Sequence, residues 1–124
     1  MHTVTDYSTS RTLNVDHLRT TAIAAEAAGF TAFNGGKDDG GSCNFDCAVL
    51  HLPTTWREQV VAALDGSGLT VYVDEWMCDP GETAFHVRSN RTGGQGFART
   101  RAAEAIQATF KAAGYPGTTY YQMD

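Results

Sequence analysis

The order of predicted strands and helices is the feature that most restricts what this chain can fold into. From residue 46 onward the sequence predicts the order β-α-β-β-α-β. The run 47–52 is mostly apolar, as expected for a central strand. The runs 69–74 and 83–88 alternate between apolar and polar residues, and the turn 79–82 joins them as a predicted hairpin. A last strand is predicted at 118–123.

Three helices are predicted from apolar periodicity and from residues typical of helix ends. The first, 15–28, follows the N-cap residue Asn14 and is expected to stop at Gly29. The second, 56–65, begins with Thr55 and Glu58 in capping-box spacing, and its predicted buried stripe is Trp56, Val60, Val61 and Leu64. The third, 97–113, ends at Gly114 with Pro116 close behind.

This order is that of the ferredoxin-like split βαβ pattern. The helix 15–28 and a short strand at 31–34 would be an N-terminal αβ addition to it. That strand conflicts with the pattern, because 47–52 would already have a neighbour on each side. We therefore expect an α+β fold, with a single antiparallel or mixed sheet and helices packed on one face.

The length of 124 residues fits one domain, 1–124, in which 1–13 is expected to be a flexible arm. No apolar run is long enough to span a membrane, and the first residues do not resemble a secretory signal. Three cysteines are too few for a disulfide scaffold. We therefore expect a cytoplasmic protein that has no membrane partner and needs no cofactor.

Charge is strongly segregated along the chain. The segment 65–82 has five acidic residues and no Lys or Arg, whereas 83–103 has four arginines and no acidic residue. Because the two segments meet in the predicted hairpin, cross-strand pairing of opposite charges is one interpretation. The net charge of -5 disfavours a nucleic-acid partner.

The second interpretation concerns the glycine-rich stretch between the third strand and the last helix. Glycines let the backbone approach a ligand, helix N-termini attract anions, and arginines bind phosphate or carboxylate. Arginines in the first helical turns also oppose the helix dipole, and a bound anion would remove that penalty. A flexible surface loop is the alternative. The predicted ligand-binding residues are Arg88, Arg91, Gly93, Gly94, Gly96 and Arg99.

A second glycine cluster, 35–42, encloses two adjacent acidic residues. It predicts a mobile loop, and a lid or partner-binding role is the functional alternative. Together with the acidic hairpin it forms a candidate protein-docking surface. The candidate partner-binding residues are Asp38, Asp39, Asp74, Glu75 and Asp79.

Metal and catalytic sites are less favoured. The weak zinc candidates are Cys43, Cys47, His51 and Cys78, whose spacing fits no standard zinc motif. Buried, inert thiols are the simpler interpretation, and a Cys–His nucleophilic pair has no local signature. For acid–base chemistry the candidates are Asp74, Glu75, His51 and His86, the last a half-exposed strand residue.

The stretch 40–46, the Gly93–Gly96 loop with its Ala-rich helix, and the ending 120–124 resemble small uncharacterised accessory proteins of phages or mobile elements of GC-rich bacteria. That resemblance implies a protein that binds something of the host's and brings no catalytic residues with it. We therefore expect a small non-enzymatic protein that binds a nucleotide or another phosphate, with a homo-oligomer left open. The alternatives are an inhibitor that docks on a host protein through the acidic hairpin, and a small enzyme or zinc protein.

Overall fold

The computed structural model of the chain describes residues 12–36, 46–74, 79–92 and 96–121. These residues form an α+β fold of three α-helices and one open antiparallel sheet of four strands. The helices are α1 (Val15–Phe33), α2 (Arg57–Leu64) and α3 (Phe97–Ala112). The strands are β1 (Cys47–Pro53), β2 (Leu69–Asp74), β3 (Glu82–Ser89) and β4 (Gly117–Tyr120). The predicted fold class is confirmed.

The sheet order is β2-β3-β1-β4, and every neighbouring pair is antiparallel. β3 is thus inserted between the strands that α2 connects, and β1 between the strands that α3 connects. This double insertion is the split βαβ arrangement that the sequence predicts. The predicted hairpin of β2 and β3 is confirmed by their pairing and by the turn in which Glu82 N–H donates to the Asp79 carbonyl at 3.0 Å.

The hydrophobic core lies between the helices and one face of the sheet. Side chains alternate along each strand, so every second residue points into this core. Leu50 and Phe85, paired across β1 and β3, are fully buried at its centre. The helices close the core from the other side, chiefly with Leu18 of α1, Val60 and Leu64 of α2, and Ile106 and Phe110 of α3.

The predicted strand at 31–34 is wrong, because α1 continues through Gly29 to Phe33. Gly29 does not end the helix; it lets α1 approach α3. A Cβ there would lie 2.8 Å from Cγ1 of Ile106, which is closer than packed carbons allow. The helix ends at Asn34, which takes the left-handed conformation at φ 53. The conflict over the neighbours of β1 therefore disappears.

Two further predictions are corrected at α2. Residues 54–56 form a 3-10 turn, so α2 starts at Arg57, and the expected Thr55 capping bond is absent from its N-terminus. Val61 is exposed, and Ala63 is buried in its place. The helix is shorter than predicted, and its buried residues are Val60, Ala63 and Leu64.

Arginine side chains close the C-terminal ends of two helices. Arg19 of α1 donates to the carbonyls of Ala62 and Asp65 at the end of α2. Arg101 of α3 donates to the carbonyls of Ala32 and Phe33 at the end of α1. Cations are favourable at helix C-termini, where the last carbonyls lack partners within the helix. Arg101 is thus compensated by protein groups, so its place near the start of α3 needs no bound anion.

Among the described residues, no helix combines the length and apolar character needed to cross a bilayer. Leu13, at the end of the predicted N-terminal arm, is buried in the core. The rest of that arm, 1–11, lies outside the described residues.

Candidate functional site

The candidate site is built on the face of the sheet that points away from the helices, which we call the open face. The alternation that sends Leu50 and Phe85 into the core sends their neighbours to this face. The register of β1 against β3 therefore decides which side chains are neighbours at the centre of the open face, where Val49 pairs with His86. The open-face residues are Cys47, Val49, His51, Thr70, Tyr72, Asp74, Ala84, His86, Arg88, Thr118 and Tyr120.

These side chains line a cavity of about 650 Å³, which Arg99 also lines from the first turn of α3. Small-molecule sites in proteins generally have volumes on the order of 300–1,000 Å³. The lining combines apolar floor residues such as Val49 with aromatic rings and ionisable groups. That mixture is typical of a ligand site rather than of a solvated sheet surface.

Cys47, His86 and Asp74 form a connected row within the cavity. The Sγ of Cys47 lies 3.4 Å from Nδ1 of His86. The other ring nitrogen of His86, Nε2, lies 3.6 Å from Oδ2 of Asp74. The three residues come from three strands, β1, β3 and β2, so sheet pairing is what brings them together. Cys47 is a free, half-buried thiol.

Burial dominates the protonation of both central groups. It raises the pKa of the Cys47 thiol, against the opposing effect of Arg99 and Arg88. It lowers the pKa of His86 from its ordinary value of 6.5, while Asp74 opposes the change. Both shifts favour uncharged forms, so the resting pair near pH 7 is a thiol beside a neutral imidazole.

Two arginines reach the same end of the cavity. Arg88 is exposed on β3, directly across from Thr70. Arg99 is only 8% exposed and donates from Nε to the Asp46 carbonyl at 3.0 Å. Burial and then the positive charge of Arg88 lower the pKa of Arg99. The two guanidinium groups therefore repel each other, and Asp46 offsets part of that repulsion.

Aromatic rings follow one another across the open face. The ring of His86 meets Tyr72 at 5.7 Å and Tyr120 at 5.9 Å between centroids, each nearly edge to face. Tyr72 is 67% exposed and Tyr120 44% exposed. Exposed tyrosines beside a cavity offer flat apolar surfaces against which a planar ligand can stack.

The described residues of the predicted glycine–arginine site lie in different places in the structure. Arg88 and Arg99 come together at the cavity, and Arg91 does not line it. Arg91 instead binds the buried carboxylate of Glu26 through two nitrogens, at 2.9 and 2.6 Å, and covers the Phe30 ring. Gly96 precedes α3 as its N-cap. Gly93 and Gly94 lie outside the described residues.

Of the predicted partner-binding residues, the structure describes two. Asp79 is exposed in the turn before β3. Asp74 faces the cavity and His86. The remaining three, Asp38, Asp39 and Glu75, lie outside the described residues. The docking hypothesis for the acidic hairpin stays a prediction.

Of the weak zinc candidates, Cys47 and His51 both line the cavity, as their shared strand face predicts. Cys43 and Cys78 lie outside the described residues. Within 12–36, 46–74, 79–92 and 96–121, no three His, Cys, Asp or Glu side chains are grouped so that they could hold a metal ion. Cys47, His86 and Asp74 instead lie in a row, in which His86 contacts the other two.

The sequence prediction did not connect His86 with Cys47, although it named both residues. It groups Cys47 with His51, four residues along on the same strand face, among the weak zinc candidates. The contact with His86 depends on the register of β1 against β3, which no local pattern specifies. The only usable signal was the alternation in 83–88, which separates His86 from Phe85 and Val87.

No family model, curated protein or solved structure matches the chain.

Proposed function

We propose that the protein binds a small anionic ligand, a nucleotide or another phosphate compound, in the open-face cavity between Arg88 and Arg99. The observation that carries the proposal is that Arg88 of β3 and Arg99 of α3 line one cavity of ligand size and that their charges interact. Arginine offers a planar set of donors that fits phosphate and carboxylate oxygens.

The contacts of the other arginines support placing the ligand between Arg88 and Arg99. Arg19 and Arg101 donate to helix-end carbonyls, and Arg91 binds Glu26. Their roles are explained by the fold itself. Arg99 also donates to a carbonyl, that of Asp46, and what sets it and Arg88 apart is that two like charges lie close together beside a cavity. A bound anion would offset their repulsion.

The aromatic residues add a reason to favour a nucleotide within the class of phosphates. Tyr72 and Tyr120 border the cavity and keep much of their surface exposed. A base or another flat ring stacked on either tyrosine would bury that surface. The arginines would hold the charged group, and the tyrosines the planar group.

The proposal is tested by calorimetric titration with inorganic phosphate, adenosine 5′-monophosphate and adenosine. We expect the monophosphate to bind more tightly than phosphate, and adenosine to bind least. Arg88→Gln is expected to weaken binding of the monophosphate about tenfold, since one charge-assisted hydrogen bond contributes on the order of 1.5 kcal/mol. Arg99→Lys keeps the charge but loses the planar donor set, so it should weaken binding less than Arg99→Gln.

Two control variants remove a positive charge without touching the cavity. Lys111→Gln changes an exposed residue in the last turn of α3. Arg57→Gln changes an exposed residue at the start of α2 that does not line the cavity. Both should leave the affinity unchanged. If neither phosphate nor the monophosphate binds, or if all four arginine and lysine positions contribute equally, the proposal is wrong.

A further inference from the structure

We infer that Cys47 is a nucleophilic thiol, that His86 accepts its proton, and that Asp74 positions His86. Its substrate class is an activated acyl compound, an ester or thioester, that carries a carboxylate or phosphate. The inference goes beyond ligand binding, because the thiol and its base form a reactive group whether or not an anion is bound. Only the choice of an anionic substrate rests on the proposed function.

The geometry is that of a nucleophile, a base and an orienting group. A nucleophile must lie within hydrogen-bond reach of its base, and a third group must fix the orientation of the base. The sulfur–nitrogen distance of 3.4 Å suits a thiol, whose atom is larger than oxygen. Asp74 contacts the opposite ring nitrogen at 3.6 Å, so the two contacts lie on opposite sides of one imidazole.

The accessibility of the row fits a reaction with a small molecule. The side chains of His86 and Asp74 are 19% and 30% exposed, and Cys47 lines the cavity with them. The groups are thus reachable from the cavity yet removed from most of the solvent. Lower water exposure strengthens the interaction of the developing imidazolium with Asp74.

The protonation states are those that a general base requires. His86 is neutral near pH 7 because burial lowers its pKa, so it can accept the thiol proton. The groups that face it come from every strand of the sheet and from α3. They are Tyr72 and Asp74 on β2, Arg88 on β3, Cys47 and His51 on β1, Tyr120 on β4, and Arg99 on α3.

The chemical step balances without a further co-reactant except water. The thiol proton passes to Nδ1 of His86 as sulfur attacks the carbonyl carbon and the S–C bond forms. The bond from that carbon to the leaving oxygen or sulfur then breaks, and His86 returns the proton to the leaving group. Water hydrolyses the resulting acyl-thioester by the same proton path, which restores the thiol. Arg88 and Arg99 would hold the anionic end of the substrate.

The first experiment measures alkylation of each cysteine in the full chain by iodoacetamide, a neutral probe, with peptide mass mapping. Cys43 and Cys78 serve as internal controls. Loss of the base is expected to slow alkylation of Cys47 about tenfold or more in His86→Gln, with no change at the other two cysteines. His86→Asn is a second variant in case the first fails to fold, which circular dichroism checks. An unchanged Cys47 rate in a folded variant would overturn the inference.

The pH profile separates a positioning role of Asp74 from a merely structural one. In the wild type the Cys47 alkylation rate should fall as the pH drops through the lowered pKa of His86, because the protonated imidazole cannot accept a proton. Asp74 favours the protonated ring, so Asp74→Asn should move this midpoint to lower pH. An unchanged midpoint would show that Asp74 does not position His86.

Iodoacetate, the anionic counterpart of iodoacetamide, distinguishes this inference from the proposed function. Arg88→Gln should lower the ratio of the iodoacetate rate to the iodoacetamide rate at Cys47, and Lys111→Gln should not. A dependence on His86 without a dependence on Arg88 would support the thiol and contradict the anionic substrate. A dependence on Arg88 without a dependence on His86 would overturn the nucleophilic role of Cys47 and leave the proposed anion binding intact.

Acyl transfer itself is tested with p-nitrophenyl acetate and with p-nitrophenyl hemisuccinate, which carries a carboxylate. We expect a burst of nitrophenol equal to the protein concentration, with the acyl group found on Cys47 by mass mapping. The burst should be faster with the hemisuccinate and absent in Cys47→Ser. A wild-type protein that acquires no acyl group on Cys47 from either ester would overturn the acyl-transfer step.

Discussion

The two faces of the sheet are made from the same strands and differ in almost every property. On the covered face, Leu50 and Phe85 pair across β1 and β3 and are fully buried against the helices. On the open face, the next pair along, Val49 and His86, belongs to a cavity lined by ionisable and aromatic groups. A shift of one residue in a strand changes the environment completely. Stability and chemistry are thus assigned to alternate residues of the same strands, and substitutions can separate them.

The largest expected effect comes from the covered face. Phe85→Ala removes one of the largest fully buried side chains and leaves a cavity between the sheet and the helices. We expect the free energy of unfolding to fall by about 3–5 kcal/mol, measured by urea denaturation. The mutant should also lose the open-face cavity if it unfolds. A loss below about 1 kcal/mol would mean that the covered face does not carry the stability.

A second substitution acts on the edge strand that both faces share. In β4, a Cβ at Gly117 would overlap the carbonyl oxygen of Val49, so Gly117→Ala must displace β4 from β1. We expect a loss of about 1–3 kcal/mol, as for other overpacked sites. Because β4 brings Tyr120 to the cavity, monophosphate binding should weaken as well. Gly114→Ala, just before β4, separates overlap from backbone strain: nothing lies within 4 Å of a Cβ there, so any loss of stability would come from its φ of 96 alone.

A smaller effect that depends on pH is expected where Glu26 meets Arg91. Arg91 and Ser89 hold the pKa of Glu26 below its ordinary value of 4.5, although burial opposes them. A carboxyl whose folded pKa is lowered stabilises the fold above the unfolded pKa, and that stability is lost as the pH falls through the folded pKa. Arg91→Gln should therefore lower the urea midpoint at pH 7, and its difference from wild type should shrink below pH 4.5. A difference that is constant with pH would contradict the role of this ion pair.

The smallest effect on stability is expected at the open face. Arg88 is exposed on β3 and contributes to the cavity without packing into the core. Arg88→Ala should change the free energy of unfolding by less than about 0.5 kcal/mol while it weakens phosphate binding. Denaturation and calorimetry on the same sample compare the two properties directly. A large loss of stability in Arg88→Ala would contradict the assignment of stability to the covered face.

Much of the fold follows from local patterns in the sequence. Alternation in 83–88 and the turn at 79–82 predict the β2–β3 hairpin, and the end of α3 is correct to one residue. Local signals failed where a distant group decides the outcome. Gly29 looks like a helix terminator, and only its closeness to Ile106 of α3 shows why the helix continues.

The candidate site could be predicted only in part, for the same physical reason. Arg88 and Arg99 were recognised from the run of arginines without acids, which is a local property. That run also included Arg91, whose partner Glu26 lies 65 residues away in α1. The contact of Cys47 with His86 depends on strand register, which the apolar pattern of the covered face fixes for both faces at once. Which side chains meet across a sheet therefore depends on the tertiary structure and not on a local sequence pattern.

The arginines that close the helix ends have a consequence for how far this protein can be shortened. α1 lies outside the βαββαβ unit, yet its last carbonyls hold Arg101, two residues after Arg99 of the cavity. Its Glu26 holds Arg91, three residues after Arg88. The first helix therefore anchors the chain next to both cavity arginines from the opposite side of the sheet. The smallest unit that can keep this cavity in shape includes α1, and a minimal domain cut at residue 46 would not retain it.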